Sequence, residues 1–127
     1  MKLRIKDDSV RFRIAPSEVE VLLREGALTS RVRFSLRPQR SLHYSLVLDE
    51  SLAKATVGFN DGEILARLPR EEAERWASTD AVSLAGKMEL GDTSSLFLLI
   101  EKDFACLDLS DEDNADTFPN PNAVQAC

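Results

Sequence analysis

The residues best suited to bind a ligand are basic, and they occupy alternate positions of three segments near the N-terminus. Successive side chains of a β-strand point to opposite faces of a sheet, so residues of one phase share a face. Arginine and lysine on such a face can bind phosphate or carboxylate groups. We therefore expect one basic sheet face that contains Lys2, Arg4, Lys6, Arg11, Arg13, Arg31, Arg33 and Arg37.

Two interpretations of this face stay open. Alternating charge keeps the outer side of an ordinary antiparallel sheet in water and discourages pairing between sheet edges. In a binding protein the same face is a ligand site. Its candidate contacts are Arg11, Arg13, Arg31 and Arg33. Nucleic acid also needs aromatic residues among the charges, and the pattern places none of the six Phe, Trp76 or Tyr44 in the basic phase. Nucleic acid is therefore a disfavoured partner.

A second cluster is acidic and lies in residues 108–127, which are rich in Asp, Asn and Pro. Carboxylates suit calcium or magnesium, but the spacing does not fit an EF-hand loop, since the sixth position counted from Asp111 is Asp116 instead of glycine. We expect a tail without regular structure, in solvent or folded onto the basic face, with Phe104 and Phe118 as anchors. The candidate ligand-binding acids are Asp103, which lies just before the tail, and Asp111, Asp113 and Asp116 within it. No metal site is predicted.

Thiol chemistry would have to use Cys106, which is most simply a small buried hydrophobic residue. The sharper alternative is a catalytic pair with His43. The sequence contains no GxSxG, GxxxxGK[ST] or GxGxxG motif and no zinc-ligand spacing. An enzyme is therefore not favoured, and no cofactor is predicted.

Hydrophobic alternation indicates the elements that must position these residues. Strands are predicted at 2–6, 10–14, 31–37, 42–48, 53–59, 63–68, 81–88 and 95–102. One helix is predicted to open at Pro16 and Ser17, with Glu20 completing a capping box, and to close at Gly26. The second helix is predicted over 69–78.

A weak internal repeat relates the two helical units. The segment 13–34 resembles 66–88 when Pro16 is aligned with Pro69, an offset of 53 residues. Few identities support it, so both a pseudo-symmetric domain and chance similarity of two βα units stay open.

Together the elements predict an α+β domain over residues 1–107, followed by the tail. It has a strongly twisted antiparallel sheet or partly closed β-barrel of about seven or eight strands, with two short helices. The length of 127 residues, with 43% hydrophobic and 30% charged, fits one domain. The predicted core comprises Leu3, Ile5, Val10, Phe12, Ile14, Leu22, Leu23, Val32, Phe34, Leu46, Val57, Phe59, Ile64, Leu68, Trp76, Val82, Leu84, Leu96, Leu98 and Ile100.

Charge is unevenly distributed, because the basic residues concentrate in positions 1–40 while the net charge of the chain is −6. The apolar run 96–100 is far shorter than the ~20 residues of a membrane-spanning helix. Two cysteines do not form a disulfide framework, and the N-terminus lacks the apolar stretch of a secretory signal. We expect a cytoplasmic protein with no membrane contact.

The opening MKLRIKDDSVRFRIAPSEV and the closing IEKDFACLDLSDEDNADTFPNP resemble a family of small bacterial proteins known only as a domain of unknown function. The resemblance covers nearly the whole chain. It implies a stand-alone cytoplasmic bacterial protein, without an activity, cofactor or catalytic residue to carry over. Its most distinctive pieces, EKDFACL and DED..D.FPNP, favour an ordered, functional tail.

Three hypotheses follow. The first is a non-enzymatic binding or accessory domain, monomeric or homodimeric, whose partner is an unknown protein or a small anionic ligand held where the basic face meets the tail. The second is a metal-dependent or thiol enzyme that uses Cys106 and nearby acids such as Asp103. The third is nucleic-acid or phosphate-ligand binding on the basic face, with affinity that falls steeply with salt.

Overall fold

The computed structural model of the chain describes residues 1–104, 116–119 and 121. The elements are β1 (Lys2–Lys6), β2 (Ser9–Ile14), α1 (Pro16–Glu25), β3 (Ala27–Arg33), a 3-10 turn (Pro38–Arg40), β4 (Ser41–Asp49), β5 (Thr56–Asn60), β6 (Glu63–Pro69), α2 (Arg70–Ser78), β7 (Ser83–Glu89) and β8 (Ser95–Lys102). The predicted α+β class, with two short helices, is confirmed. In the described ranges no helix combines the length and the apolar character needed to cross a membrane.

The strands form two four-stranded mixed sheets. Sheet 1 has the order β1-β2-β8-β7, and sheet 2 has the order β3-β4-β6-β5. In each sheet two antiparallel hairpins meet along a central parallel pair, β2 with β8 and β4 with β6. The sequence predicted one antiparallel sheet or a partly closed barrel. The strands are instead divided between two sheets, because each helix carries the chain from one sheet to the other.

The chain consists of two copies of a ββαββ unit, and each sheet combines one hairpin from each copy. A residue of the first copy corresponds to the residue 54 positions later, as Lys2 does to Thr56 and Ala15 to Pro69. Only β3 and β7 differ, with an offset of 56. We call such residues repeat partners. Of the two interpretations left open by the sequence, the structure supports the pseudo-symmetric domain, but Ala15 rather than Pro16 aligns with Pro69, which corrects the offset of 53.

The repeat extends to the hairpin turns. Asp7 in the β1–β2 turn and its repeat partner Asp61 in the β5–β6 turn both have φ near 49°, a left-handed conformation that Asp adopts more readily than most residues. The carbonyl after each aspartate accepts a 2.9 Å hydrogen bond, from the backbone N–H of Phe97 in sheet 1 and of His43 in sheet 2. The two hairpin turns therefore form equivalent backbone hydrogen bonds with the neighbouring parallel strand.

Helix α1 is capped at both ends by local interactions. The backbone N–H of Ala15, the N-cap residue, donates to Oε1 of Glu18 at 3.1 Å, and Gly26 ends the helix with φ of 78°. The capping box predicted from Ser17 is wrong, because the N-cap lies two residues earlier. Glu18 also forms an ion pair with the N-terminal ammonium of Met1, which ties the start of β1 to α1.

The inner faces of both sheets and one side of each helix enclose a single hydrophobic core. Its large, fully buried side chains are Phe12, Ile14, Leu22, Leu46, Leu68, Leu98 and Ile100. Five residues predicted for the core are exposed instead. They are Ile5, Val32, Phe34, Phe59 and Val82. Three of these belong to edge strands, and Phe34 lies beyond β3, which ends at Arg33 and not at position 37.

Candidate functional site

The outer face of sheet 1 carries a dense group of positive charges. Val10, Phe12 and Ile14 of β2 enter the core, so the alternate residues Arg11 and Arg13 face outward. Residues directly opposite each other in an antiparallel ladder share a face, so the register extends this face to β1. Its cations are Lys2, Arg4, Lys6, Arg11 and Arg13.

Two like-charged pairs stand directly opposite each other across β1 and β2. Lys2 is the Cα partner of Arg13, and Arg4 is the Cα partner of Arg11. Directly opposite side chains interact by roughly 0.2–1 kcal/mol, and like charges there are destabilising. This arrangement therefore opposes folding.

The cations line a recess of about 190 Å³, which we call the basic recess. Its lining residues are Lys2, Leu3, Arg4, Arg11, Arg13 and Glu101. Lys2 Nζ lies 3.0 Å from Oδ2 of Asp103, a buried residue. Within the described part of the chain, no carboxylate lies at salt-bridge distance from Arg4, Arg11 or Arg13. Three guanidinium groups thus line the recess, and none of them forms an ion pair with a carboxylate of the described residues.

Sheet 2 has a recess at the corresponding place, lined by the repeat partners of five basic-recess residues. Lys2, Leu3, Arg4, Arg11 and Arg13 correspond to Thr56, Val57, Gly58, Leu65 and Arg67. The second recess is larger, about 790 Å³, and a Cβ added at Gly58 would meet no atom within 4 Å. Three of the four cations are therefore replaced by neutral residues in a sheet of the same topology.

A hydrogen-bonded chain of polar side chains crosses the outer face of sheet 2. The Ser45 hydroxyl, in a residue only 3% exposed, lies 3.0 Å from the Thr29 hydroxyl and donates to Oε2 of Glu63 at 2.9 Å. His43 is the Cα partner of Glu63. No group of three or more His, Cys, Asp or Glu side chains among the described residues is arranged to hold a metal ion. Of these residues His43 and Glu63 line the second recess, together with Asp61 and Arg67, so its charges are of both signs.

Arg67 is the one cation that sheet 2 retains at the four equivalent positions, and it forms an ion pair with an aspartate. Its Nη1 lies 3.8 Å from Oδ2 of Asp49. The hydroxyl and the backbone N–H of Ser51 donate to Asp49 and hold the pKa of that carboxyl below its ordinary value, and Arg67 lowers this pKa further. Asp49 and Asp103 are repeat partners at the ends of β4 and β8. In each recess one cation thus forms an ion pair with an acid, and the two acids occupy equivalent positions of the repeat although the two cations do not.

The arginines predicted at positions 31, 33 and 37 do not line the basic recess. Arg31 and Arg33 lie on β3 of sheet 2, and Arg37 lies in the loop that follows. The prediction of one basic face across three strands is wrong, because α1 carries the chain from sheet 1 to sheet 2 before Arg31. The structure thus brings Arg11 and Arg13 together and separates both from Arg31 and Arg33.

An aromatic side chain on the outer face of sheet 1 was missed from the sequence. Phe97 of β8 is the Cα partner of Ser9 and of Lys87, and it is 52% exposed. Lys87 Nζ lies 6.0 Å from its ring centroid. The prediction that no aromatic residue shares the basic phase is therefore wrong. Since Leu98 and Ile100 enter the core, strict alternation of β8 would have placed Phe97 outward.

The described part of the tail packs against the domain. Oδ2 of Asp116 accepts a 2.6 Å hydrogen bond from the Ser17 hydroxyl. The backbone N–H of Phe118 donates to the Asp103 carbonyl at 2.7 Å, and its ring meets that of Phe104 edge-on with centroids 6.0 Å apart. Anchoring through these two phenylalanines is confirmed, and Asp116 contacts the start of α1 instead of a basic-face arginine. The other predicted site residues of this region, Cys106, Asp111 and Asp113, lie outside the described residues.

Phe118 also covers a nearly buried lysine. Lys102 is 6% exposed, and its Nζ lies 5.3 Å from the ring centroid of Phe118 and 5.9 Å from that of Trp76. The same Nζ donates to the Thr79 carbonyl at 2.6 Å. Aromatic faces attract cations, so residues 116–119 stabilise a charge at the end of β8.

Comparison with known proteins identifies a family for this chain. The model of a family of unknown function, DUF7009, matches residues 1–122. No match was found among curated proteins or solved structures. The resemblance to an uncharacterised family, expected from the motifs at both ends, is confirmed.

Proposed function

This chain belongs to the DUF7009 family, whose function is unknown, and we propose that it is a binding module whose basic recess takes a small ligand with several negative charges. Such a ligand carries two or more phosphate or carboxylate groups. The proposal rests on the charges that line the recess and on their contrast with sheet 2.

The observation that carries the proposal is the opposition of Arg4 and Arg11, beside a second like-charged pair. Lys2 is ion-paired with Asp103 and Arg13 lies beside Glu101, so the uncompensated repulsion in the hairpin is that of Arg4 and Arg11. Their repeat partners Gly58 and Leu65 also face each other across β5 and β6, so this strand pairing forms without the charges. Natural proteins keep unfavourable local arrangements mainly where a site uses them. Ligand binding explains why the arginines are present.

The spacing of the four cations suits a ligand with more than one anionic group. Neighbouring strands lie about 4.8 Å apart, and alternate residues of one strand lie about 7 Å apart. The side chains of two adjacent rows therefore reach one compact molecule. Arginine binds a phosphate or carboxylate through two parallel hydrogen bonds and keeps its charge in proteins. A diphosphate, a triphosphate or a polycarboxylate meets these requirements.

Two features favour a compact ligand over an extended polyanion. Glu101 lines the recess beside its Cα partner Arg13 and repels anionic groups that extend toward β8. The net charge of −6 opposes unspecific attraction of long phosphate backbones. A short ligand confined to the four cations avoids both effects.

Isothermal titration calorimetry of the full chain with tripolyphosphate tests the proposal. The variant Arg11→Leu introduces the residue found at the repeat partner Leu65. It is expected to weaken binding about tenfold or more, because a hydrogen bond to a charged group contributes about 1.5–3 kcal/mol. The matched control, Arg31→Leu on sheet 2, should stay within about twofold of the wild type. Binding by the wild type should also weaken as salt increases.

Two results would contradict the proposal. One is the absence of tripolyphosphate binding to the wild-type chain at low salt. The other is equal affinity of the Arg11→Leu and Arg31→Leu variants, which would place the anion elsewhere on the surface.

A further inference from the structure

We infer that the ligand of the basic recess also carries a planar ring, as a nucleotide does, and that this ring stacks on Phe97. The inference rests on the proposed function and adds the chemical class of the ligand. It depends on a second group of residues, the row of sheet 1 next to Arg4 and Arg11.

This row crosses all four strands of sheet 1. The register places Lys6, Ser9, Phe97 and Lys87 side by side on β1, β2, β8 and β7. A lysine thus stands at each end, with a small residue and an exposed aromatic ring between them. The neighbouring row contains Arg4 and Arg11. Phosphate-binding cations and an aromatic surface therefore lie on one continuous face.

The ring of Phe97 is about half exposed on the outer face that also carries the arginines. Lys87 approaches it from β7, with Nζ 6.0 Å from the centroid. On the β2 side its neighbour is Ser9, whose hydroxyl donates to the Lys6 carbonyl at 2.7 Å. Ser9 is thus a small, locally bonded neighbour of Phe97, and the next row of the same face holds Arg11 and its Cα partner Leu99.

The distances fit one nucleotide unit. Adjacent rows on a face lie about 7 Å apart along the strands, which is comparable to the reach of a ribose between its phosphate and its base. A phosphate held by Arg4 and Arg11 would therefore bring the base over Phe97. Stacking of a base on an aromatic side chain contributes about 1–3 kcal/mol, which offsets the unfavourable exposure of the phenylalanine.

Calorimetry with ATP and with tripolyphosphate distinguishes the contribution of the ring to the binding free energy from that of the phosphates. The wild type should bind ATP roughly fivefold or more tightly than tripolyphosphate, the factor that corresponds to the lower stacking value. Phe97→Ala should abolish this preference and leave tripolyphosphate affinity unchanged. The matched control is Phe59→Ala, which removes an exposed phenylalanine from sheet 2 and should preserve the preference.

The possible failures are distinguishable. Equal affinity of the wild type for ATP and tripolyphosphate, with both lost in Arg11→Leu, would overturn the stacking inference and leave the anion site intact. An ATP preference that survives in Phe97→Ala would also overturn it. Absence of binding to either compound would remove the proposed function itself.

A third titration, with single-stranded oligo-dT, distinguishes two sources of the nucleotide unit. Tighter binding of ATP than of the oligomer would assign a free nucleotide, whereas the reverse order would assign a strand and contradict the compact ligand of the proposed function. In both cases Phe97→Ala must weaken the tighter interaction. If it does not, the ring is bound elsewhere and the inference fails.

Discussion

Arg4 and Arg11 face each other as Cα partners across the β1–β2 ladder, and the same places in the second copy of the fold hold Gly58 and Leu65. These two positions thus carry guanidinium groups in sheet 1 and neutral residues in sheet 2. Because the hairpin of sheet 2 forms with glycine and leucine at these positions, the strand pairing does not need the two arginines.

Replacing Arg11 by leucine is expected to raise the free energy of unfolding while it weakens anion binding. Removal of the like-charged contact with Arg4 should contribute roughly 0.2–1 kcal/mol at low salt. The gain should shrink at about 1 M salt, where the Debye length is only about 3 Å. Urea denaturation followed by Trp76 fluorescence measures both conditions. A loss of stability at low salt would show that Arg11 supports the fold through other contacts.

Two glycines on strands predict opposite responses to alanine. A Cβ at Gly86 of β7 would lie 3.0 Å from the carbonyl oxygen of Ala55, whereas a Cβ at Gly58 would meet nothing within 4 Å. Gly86→Ala should therefore lower the free energy of unfolding by about 1–3 kcal/mol, and Gly58→Ala should change it by no more than about 0.5 kcal/mol. Chemical denaturation of both variants is the measurement. Similar stabilities would mean that β7 and Ala55 pack less closely than described.

Truncation of Phe118 should destabilise the domain although this residue belongs to the tail. Phe118→Ala removes the edge-on contact with Phe104 and one of the two rings near Lys102. We expect a loss of about 1–3 kcal/mol in the free energy of unfolding. Phe34→Ala, at a residue 73% exposed, is the control and should lose less than about 0.5 kcal/mol. Equal losses in the two variants would contradict the docking of the tail.

The carboxyl of Asp49 should titrate below its ordinary pKa in the folded protein, because the Ser51 hydroxyl and backbone N–H donate to it and Arg67 lies near. A folded-state pKa below the unfolded one means that ionised Asp49 stabilises the fold above the unfolded pKa. This contribution is lost as the pH falls through the folded value. Ser51→Ala should therefore raise the pKa of Asp49, as followed by carbon-detected NMR.

Asp92 provides an internal control for that titration. Its pKa is lowered mainly by the backbone N–H of Ser94, so it should not change in Ser51→Ala. An Asp49 pKa that stays equally low in this variant would show that Ser51 is not the main cause.

Local sequence signals predicted the elements better than their assembly. Alternation placed β8 within its observed bounds Ser95–Lys102, and the Asp-Gly pair at Asp61 marked the β5–β6 turn. Pairing of β2 with β8 joins strands from opposite ends of the chain, and no local pattern specifies such a contact. The equivalence of the two ββαββ units, in contrast, can be derived from the sequence. Alignment of Asp7 with Asp61, instead of Pro16 with a later proline, yields the correct offset.

The candidate site was predictable where each strand had one apolar and one charged face. Arg11 and Arg13 were identified because Val10, Phe12 and Ile14, which alternate with them, are plainly apolar. Phe97 was missed because the aromatic residues were compared only with the charges of the three early strands, although the predicted core residues Leu96, Leu98 and Ile100 already imply an outward Phe97. The segment after β3 shows the converse error, since its alternation continues beyond the last strand residue, Arg33.

The most direct test of the anion site is a titration of the isotope-labelled chain with pyrophosphate, followed by the backbone amide signals. Binding at the basic recess should produce saturable shifts concentrated on β1 and β2, at Lys2, Arg4, Arg11 and Arg13, with the strands of sheet 2 unchanged. Shifts centred on β5 and β6, or an even spread over the surface without saturation, would contradict it.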